Sequence, residues 1–216
     1  NFEQNEYILF HVCPNLKEKK IILKYKKKYP KNFIYLISKK KVSLPKAWNE
    51  CIKNSSKKFI AIWNVDDLRT HNSLSLQLSK FRKNIDFVYG NFTIVNKFGS
   101  KNGQLVKHHR LSKDELNKSM ILGPFFMFRK EIIRKIGFFD EQLKSSSDFD
   151  FALRLASFSK GFCVKENLGF YLNEGKGLST KINTLQGSEN NVIYLRYSIF
   201  EKVDFTEILN LNKYSI

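Results

Sequence analysis

Two carboxylate pairs stand where an apolar run gives way to a loop or a helix. In Phe59-Ile-Ala-Ile-Trp-Asn-Val-Asp-Asp-Leu-Arg69 the run stops at Asn64-Val65-Asp66-Asp67, and in Ser145-Ser-Ser-Asp-Phe-Asp150 two carboxylates open a helical pattern. A buried strand that delivers adjacent carboxylates at its C-terminal end suits Mg²⁺ or Mn²⁺ bridging a diphosphate. Hard oxygen ligands match such ions, and in open α/β sheets ligands gather beyond the carboxyl ends of strands. Asp66 and Asp67 suit a solvated turn or a helix cap equally well, and Ser147 or Asp148 suits an N-cap. Glu174-Gly-Lys-Gly-Leu-Ser-Thr180 lacks the spacing of a phosphate-binding P-loop, which argues against ATP. It is either a surface turn or a glycine loop able to close Lys176 over a diphosphate. His108-His109 is a poor metal pair because adjacent side chains on a loop do not converge on one ion. Trp48 and Trp63 read as core residues more than as sugar-stacking platforms.

The elements that must position these groups follow from periodicity. Tyr7–Val12, Phe33–Ile37, Phe59–Trp63 and Asp86–Gly90 are apolar runs of strand length, bounded by turn residues. Between them lie one-sided helical patterns. Leu16–Tyr29 carries Leu16, Ile21, Ile22 and Tyr25 and is ended by Pro30. A second helix begins at Ser43 with Pro45 in its first turn, and Ser73–Phe81 carries Leu74, Leu76, Leu78 and Phe81. Strands alternating with helices at short spacing predict an α/β domain with a largely parallel sheet. Phe92–Val95 and Leu105-Val106 flank the Gly99–Gly103 turn as a hairpin or an excursion. Leu122–Phe128 is a further apolar run, Arg129–Ile136 a short helix ended by Gly137, and Ser145–Ser159 a longer one. Phe162–Val164 and Leu168–Leu172 predict short strands, and Leu185–Phe200 a last helix.

The 216 residues, 42% hydrophobic and 14% aromatic, supply enough apolar surface for a folded domain, which excludes a disordered chain. No run approaches the roughly 20 apolar residues that span a bilayer, and no secretory pattern opens the sequence. Cys13, Cys51 and Cys163 have no metal or redox spacing and read as reduced thiols of a cytosolic protein. The formal charge of +18, from 38 basic and 20 acidic side chains, favours anionic partners such as nucleic acid, acidic lipid or phosphorylated substrates. The lysine clusters, Lys17–Lys20, Lys24–Lys31 and Lys39–Lys41, lack the interleaved aromatics and arginines of nucleic-acid modules, which argues against that partner. A solvated lysine face in a chain also rich in Asn, Ile, Phe and Tyr accounts for much of the charge.

Four segments in order resemble the inverting, family-two nucleotide-sugar glycosyltransferases of GT-A fold. They are Pro45-Lys-Ala-Trp-Asn49; Phe59–Arg69, in place of the family's strand and Asp-x-Asp motif; Gly123–Asp140; and Ser147-Asp-Phe-Asp-Phe-Ala-Leu-Arg154, in place of its Glu-Asp helix start. Asn64 replaces the first Asp of Asp-x-Asp, and Ser147 replaces the Glu. The resemblance implies a GT-A-like, mostly parallel sheet flanked by helices over residues 1–180, with a helical extension over 181–216. Because Tyr7–Val12 matches the family's second strand, it also implies that the first strand lies outside this sequence. By the same resemblance Asp148 is the base. Asp66 and Asp67 hold Mn²⁺ or Mg²⁺; Asn64, Arg69 and Lys176 contact the nucleotide-sugar donor; Asp150, Phe125 and Phe126 face a glycan or lipid-linked acceptor. The implied setting is bacterial polysaccharide synthesis in the cytoplasm, with peripheral contact at the inner face of the membrane. A noncatalytic binding module of the same fold is the alternative.

Overall fold

The computed structural model describes residues 4–109, 122–175 and 185–206. The chain divides into two compact units, Asn1–Lys58 and Phe59–Ile216.

In the first unit β1 (Tyr7–Val12) and β2 (Phe33–Ser38) pair in parallel, from Tyr7 opposite Phe33 to Val12 opposite Ser38. Parallel neighbours need a crossover, and α1 (Leu16–Lys28) supplies it. Its start is fixed by a reciprocal capping box, in which the Asn15 side chain accepts from the Glu18 amide and Glu18 accepts from the Asn15 amide, each at 2.9 Å. α2 (Leu44–Asn54) begins with Pro45 in its first turn, as expected, and buries Pro45, Asn49 and Ile52. α1 buries nothing: Leu16, Ile21, Leu23 and Tyr25 are all more than half exposed. The helix lies where the sequence predicts it, but its apolar residues are not buried in this structure.

The second unit is organised on β5 (Phe87–Val95), whose nine residues are buried except Ile94. β8 (Gly161–Leu172) runs parallel along one of its edges. On the other edge β7 (Met127–Arg129) pairs antiparallel with Phe87-Val88, and β6 (Gln104–Val106) pairs antiparallel with Phe92–Ile94. β3 (Phe59–Ala61) continues outward from β7 and β4 (Leu68–Arg69) from β8, both antiparallel, giving the order β3-β7-β5-β8-β4. The α/β class is as expected, whereas the strand directions are mixed. The hairpin anticipated at Phe92–Val106 forms as β5–β6. The two short strands anticipated at Phe162–Val164 and Leu168–Leu172 are one strand, interrupted by register shifts opposite Gly90-Asn91 and Asn91–Thr93.

Polar side chains satisfy that irregularity. The Asn91 amide donates to the Lys165 carbonyl and accepts from the His108 amide at 2.7 Å, while Asn167 donates to Thr93 Oγ1 at 2.9 Å. α3 (Ser73–Lys80) packs against β5 and β8, and of the residues its sequence suggests Leu76 and Phe81 reach the core cluster of Val88, Phe92, Val164 and Leu168. Leu74 and Leu78 share a helical face that Leu76 does not. Gln77 and Ser73 turn inward and Leu78 is 48% exposed. A 3₁₀ turn (Lys130–Ile132) leads into α4 (Ile133–Ile136), which Gly137 ends at φ +78°. α5 (Ser147–Phe158) buries Phe149, Phe151, Leu153 and Leu155, and α6 (Gln186–Arg196) packs on it through Ile193, with Leu143 completing the cluster. α6 is thus part of the second unit's core.

Gly90 shows how closely β5 and β8 approach: a Cβ there would lie 2.7 Å from the Val164 carbonyl oxygen and against the Val164 side chain. Gly90→Ala is expected to lower unfolding stability by about 2 kcal/mol, because neither strand can withdraw without losing its ladder. Urea unfolding followed by fluorescence measures this, and an unchanged midpoint would refute the crowding.

Candidate active site

The first acidic cluster lies in the six residues between β3 and β4. A turn, closed by the Asp67 amide donating to the Asn64 carbonyl at 3.3 Å, sets its two carboxylates in opposite environments. Asp66 is exposed and Asp67 is only 3% exposed. Asp67 Oδ1 accepts from the Leu172 amide at 3.1 Å and Oδ2 from Asn64 Nδ2 at 3.2 Å, so its carboxylate pins the loop to the end of β8. Burial pushes its pKa up to about 6, the Leu172 amide opposes that, and Asp66 adds to it. Trp63 lies 46% exposed and donates from Nε1 to the Asp67 carbonyl at 3.0 Å, which corrects the expectation that it is a core residue. Trp48 is partly buried.

Arg69, expected at the donor, points into the protein. Its guanidinium donates to Gln77 Oε1 at 2.9 Å and to the Ile62 carbonyl at 3.0 Å, over the rings of Phe125 and Trp63. Burial lowers its pKa to about 10, and Asp67 opposes the shift. Gln77, fully buried, uses its amide nitrogen on the carbonyls of Phe125 (2.6 Å) and Val88 (3.0 Å). Phe125 and Phe126, expected at the acceptor, are 2% and 3% exposed. Phe125 packs with Phe92, Val88 and Leu168, and Phe126 packs on Phe128 and Phe151. The structure therefore places both rings in the core, where one touches Arg69 and the other touches the helix that carries Asp148.

The second cluster opens α5. Asp148 Oδ1 accepts from the Phe149 amide at 2.9 Å. A carboxylate in the first turn of a helix ordinarily has a lowered pKa, yet burial pushes Asp148 up to about 6. The amides of Phe149 and of Asp148 itself oppose this, and Glu189 adds to it. The residue keeps part of its surface open. Asp150, expected at the acceptor, is 1% exposed and fully engaged. Arg154 grips Oδ2 from Nε (2.9 Å) and Nη2 (2.6 Å), and Oδ1 accepts from Arg196 Nη1 (2.8 Å) and the Tyr197 hydroxyl (3.0 Å). Arg196 also reaches Asp140 at 2.8 Å. The sequence carried no sign of Gln77, Glu189, Arg196 or Tyr197 in this site, because each acts across a long separation in the chain.

Among the described residues no group of three or more His, Cys, Asp and Glu side chains converges as a metal site. The acidic loop offers one unengaged carboxylate, that of Asp66. This fits Mg²⁺ or Mn²⁺ of the kind bound by one or two carboxylates together with substrate phosphates, and not a cage built by the protein. His108, stacked on Phe92, has its pKa lowered to about 4 by burial and then by His109, so it is neutral at pH 7. Lys176 lies outside the described residues.

The profile of Glycosyl transferase family 2 matches residues 13–137. An Escherichia coli UDP-Glc:alpha-D-GlcNAc-diphosphoundecaprenol beta-1,3-glucosyltransferase is 36% identical over 78 residues, covering 36% of this chain and 30% of that protein. An uncharacterized glycosyltransferase of Methanocaldococcus jannaschii is 24% identical over 150 residues, covering 65% and 50%. The chain thus spans half or less of the length of these curated relatives. Among solved structures, that of S. aureus TarS residues 1–349 superposes with TM-score 0.65 at 15% identity, covering 89% of this chain and 57% of that one. A mannosyltransferase from Pyrobaculum calidifontis, in complex with GDP-Man and Mn²⁺, superposes with TM-score 0.62 at 9% identity, covering 91% and 56%. At these identities the likeness is one of fold.

A carboxyl that binds its proton more tightly in the folded chain than in the unfolded one stabilises the fold only while protonated. For Asp67, with an ordinary value of 3.8 and about 6 in the fold, that contribution is complete below pH 3.8 and lost as the pH rises through 6. Asp67→Asn keeps an oxygen for the Leu172 amide, and the Asn64 amide can turn to present its own. The variant is expected to be roughly 2 kcal/mol more stable than the parent at pH 8 and equal to it near pH 3.5. Thermal unfolding across that range measures the difference, and a less stable variant at pH 8 would overturn it.

Proposed function

The chain belongs to glycosyl transferase family 2, and on that premise we propose that it moves a sugar from a nucleoside diphosphate to a saccharide or lipid-linked acceptor with inversion at the anomeric carbon. The observation that carries this reading is Asp148, a helix-start carboxylate whose proton affinity is raised to about 6 where a cap would lower it. A base with that affinity is ionised at pH 7 and still able to take a proton. Names of relatives as transferases support catalysis over a noncatalytic module.

In this reading the acceptor hydroxyl gives its proton to Asp148 as its oxygen forms the new bond to the anomeric carbon. The bond to the nucleoside diphosphate breaks, and the diphosphate leaves with the electron pair. One displacement with one base inverts the centre. Asp66 is the side chain that would hold Mn²⁺ or Mg²⁺, and a divalent cation there would neutralise charge on the diphosphate. Asn64 stays beside it as a neutral neighbour and braces Asp67. Asp67 itself works as the anchor of the loop, and Asp150 and Arg69 as structural charges that keep their helices and strands in place.

The acceptor is proposed to be lipid-linked, in bacterial polysaccharide synthesis at the cytoplasmic face of the membrane. Two observations support it: the E. coli relative is named for a diphosphoundecaprenol-linked acceptor, and fifteen lysines against four glutamates precede Phe59. Among the described residues no helix is long and apolar enough to cross a membrane.

Titration calorimetry with a panel of UDP- and GDP-sugars is expected to give binding that requires Mn²⁺ or Mg²⁺ and is lost in Asp66→Asn; silence with every donor would sink the proposal. Asp148→Asn is expected to lower turnover at least about a hundredfold with donor affinity within about threefold of the parent. The parent's kcat/KM should rise with pH through about 6 and level off above it.

A further inference from the structure

We propose that Glu189 is the positioning residue for Asp148: one buried carboxylate from α6 holds the loop that delivers the base and keeps a negative charge beside it. The inference rests on the reading of Asp148 as base and names a residue that no motif of the sequence marks. Glu189 is 4% exposed and lies 41 residues beyond Asp148 in the chain. Its Oε1 accepts from the Lys144 amide at 2.7 Å, and its Oε2 from the amides of Ser145 and Ser146, both at 2.8 Å. Three successive backbone amides converging on one carboxylate form an anion-binding nest occupied by the protein's own side chain. They end two residues before Asp148.

The neighbouring polar groups close the same joint. Ser146 Oγ donates to the Gln186 carbonyl at 3.3 Å and Ser147 Oγ to the Asp140 carbonyl at 2.8 Å. The segment 144–147 therefore cannot turn without breaking bonds to α6 and to the loop after α4. Glu189 is bound by amides and by no cation among the interactions described, so its charge is held in place without being cancelled. The cations near the start of α5, Arg154 and Arg196, are engaged with Asp150, Arg196 also with Asp140, and Tyr197 binds Asp150 as well. Lys144 is exposed. Asp148 thus shares its surroundings with an uncompensated carboxylate, in accord with the contribution Glu189 makes to its raised proton affinity. A structural staple alone would need the hydrogen bonds; a positioning role needs the charge as well.

The experiment separates the two. The carboxyl carbon of Asp148, assigned through Asp148→Asn, is titrated by ¹³C NMR in the unsubstituted chain and in Glu189→Gln, which keeps one accepting oxygen and removes the charge. The midpoint is expected near 6 in the former and about half a pH unit lower in the latter. An unmoved midpoint in a folded Glu189→Gln variant overturns the proposal. In the unsubstituted chain the ¹⁵N shifts of Lys144, Ser145 and Ser146 should follow the Asp148 titration, and Asp148→Asn should abolish that wave. Its absence overturns the proposal even if Glu189→Gln does not fold. Neither readout needs a sugar donor, so failure to find turnover would count against the proposed function and leave this inference standing.

Discussion

A buried guanidinium must find acceptors without water, and the second unit is arranged around that requirement at Arg69. Its Nη1 meets Gln77 and its Nη2 the Ile62 carbonyl, while Nε finds no acceptor among the described residues, and Gln77 passes the constraint on to the carbonyls of Val88 and Phe125. One side-chain amide thereby ties β4, β5 and the segment entering β7 to one point. Removing any member would leave a buried polar group unpaired, a penalty of about 1–3 kcal/mol. This explains why Arg69 is withdrawn from solvent although it lies beside the acidic loop, and why a glutamine occupies the inward face of α3 where leucines were available. The aromatic face of Phe125 completes the surroundings of the cation.

The two carboxyls with raised proton affinity, Asp67 and Asp148, share a cause and differ in use. Both lose water, and both are opposed by backbone amides. Asp67 has its two oxygens taken by Leu172 and Asn64, which makes it a brace between loop and strand. Asp148 has one oxygen on the Phe149 amide and retains exposure. Asp66, adjacent to Asp67, is left to solvent. Within each acidic pair one carboxylate is bound into the protein and the other is left available: Asp67 against Asp66, and Asp150 against Asp148.

Much of the fold was legible because it is local. The stop at Pro30, Pro45 in a first turn and Gly137 after a short helix are set by residues within one turn of each other, and all lie where the sequence predicts. The acidic loop and the start of α5 were marked by residue type alone. What was not legible is the direction of burial at long range. Phe125 and Phe126 read as acceptor-facing in the motif and become core once β7 pairs with β3 and β5. On α3 Leu76 and Phe81 reach the core, but the fully buried positions are Ser73 and Gln77, which no apolar pattern marks. Asp150, Arg154, Arg196 and Tyr197 form one ionic network only after α6 returns to α5, a closure that no local pattern encodes. Trp63 was misread for a related reason: β3 ends at Ala61, which leaves the indole outside the sheet.

The position of Trp63 has a practical side. The chain has two tryptophans, Trp48 in the first unit and Trp63 in the second. The latter is half exposed, with its indole nitrogen on the Asp67 carbonyl and a guanidinium over its ring. Its emission is therefore governed by the polarity and charge of the acidic loop itself. The protein carries a native optical reporter within five residues of Asp66 and a second, separable one in the other unit, so local rearrangement of the loop and loosening of either unit can be followed without any added label.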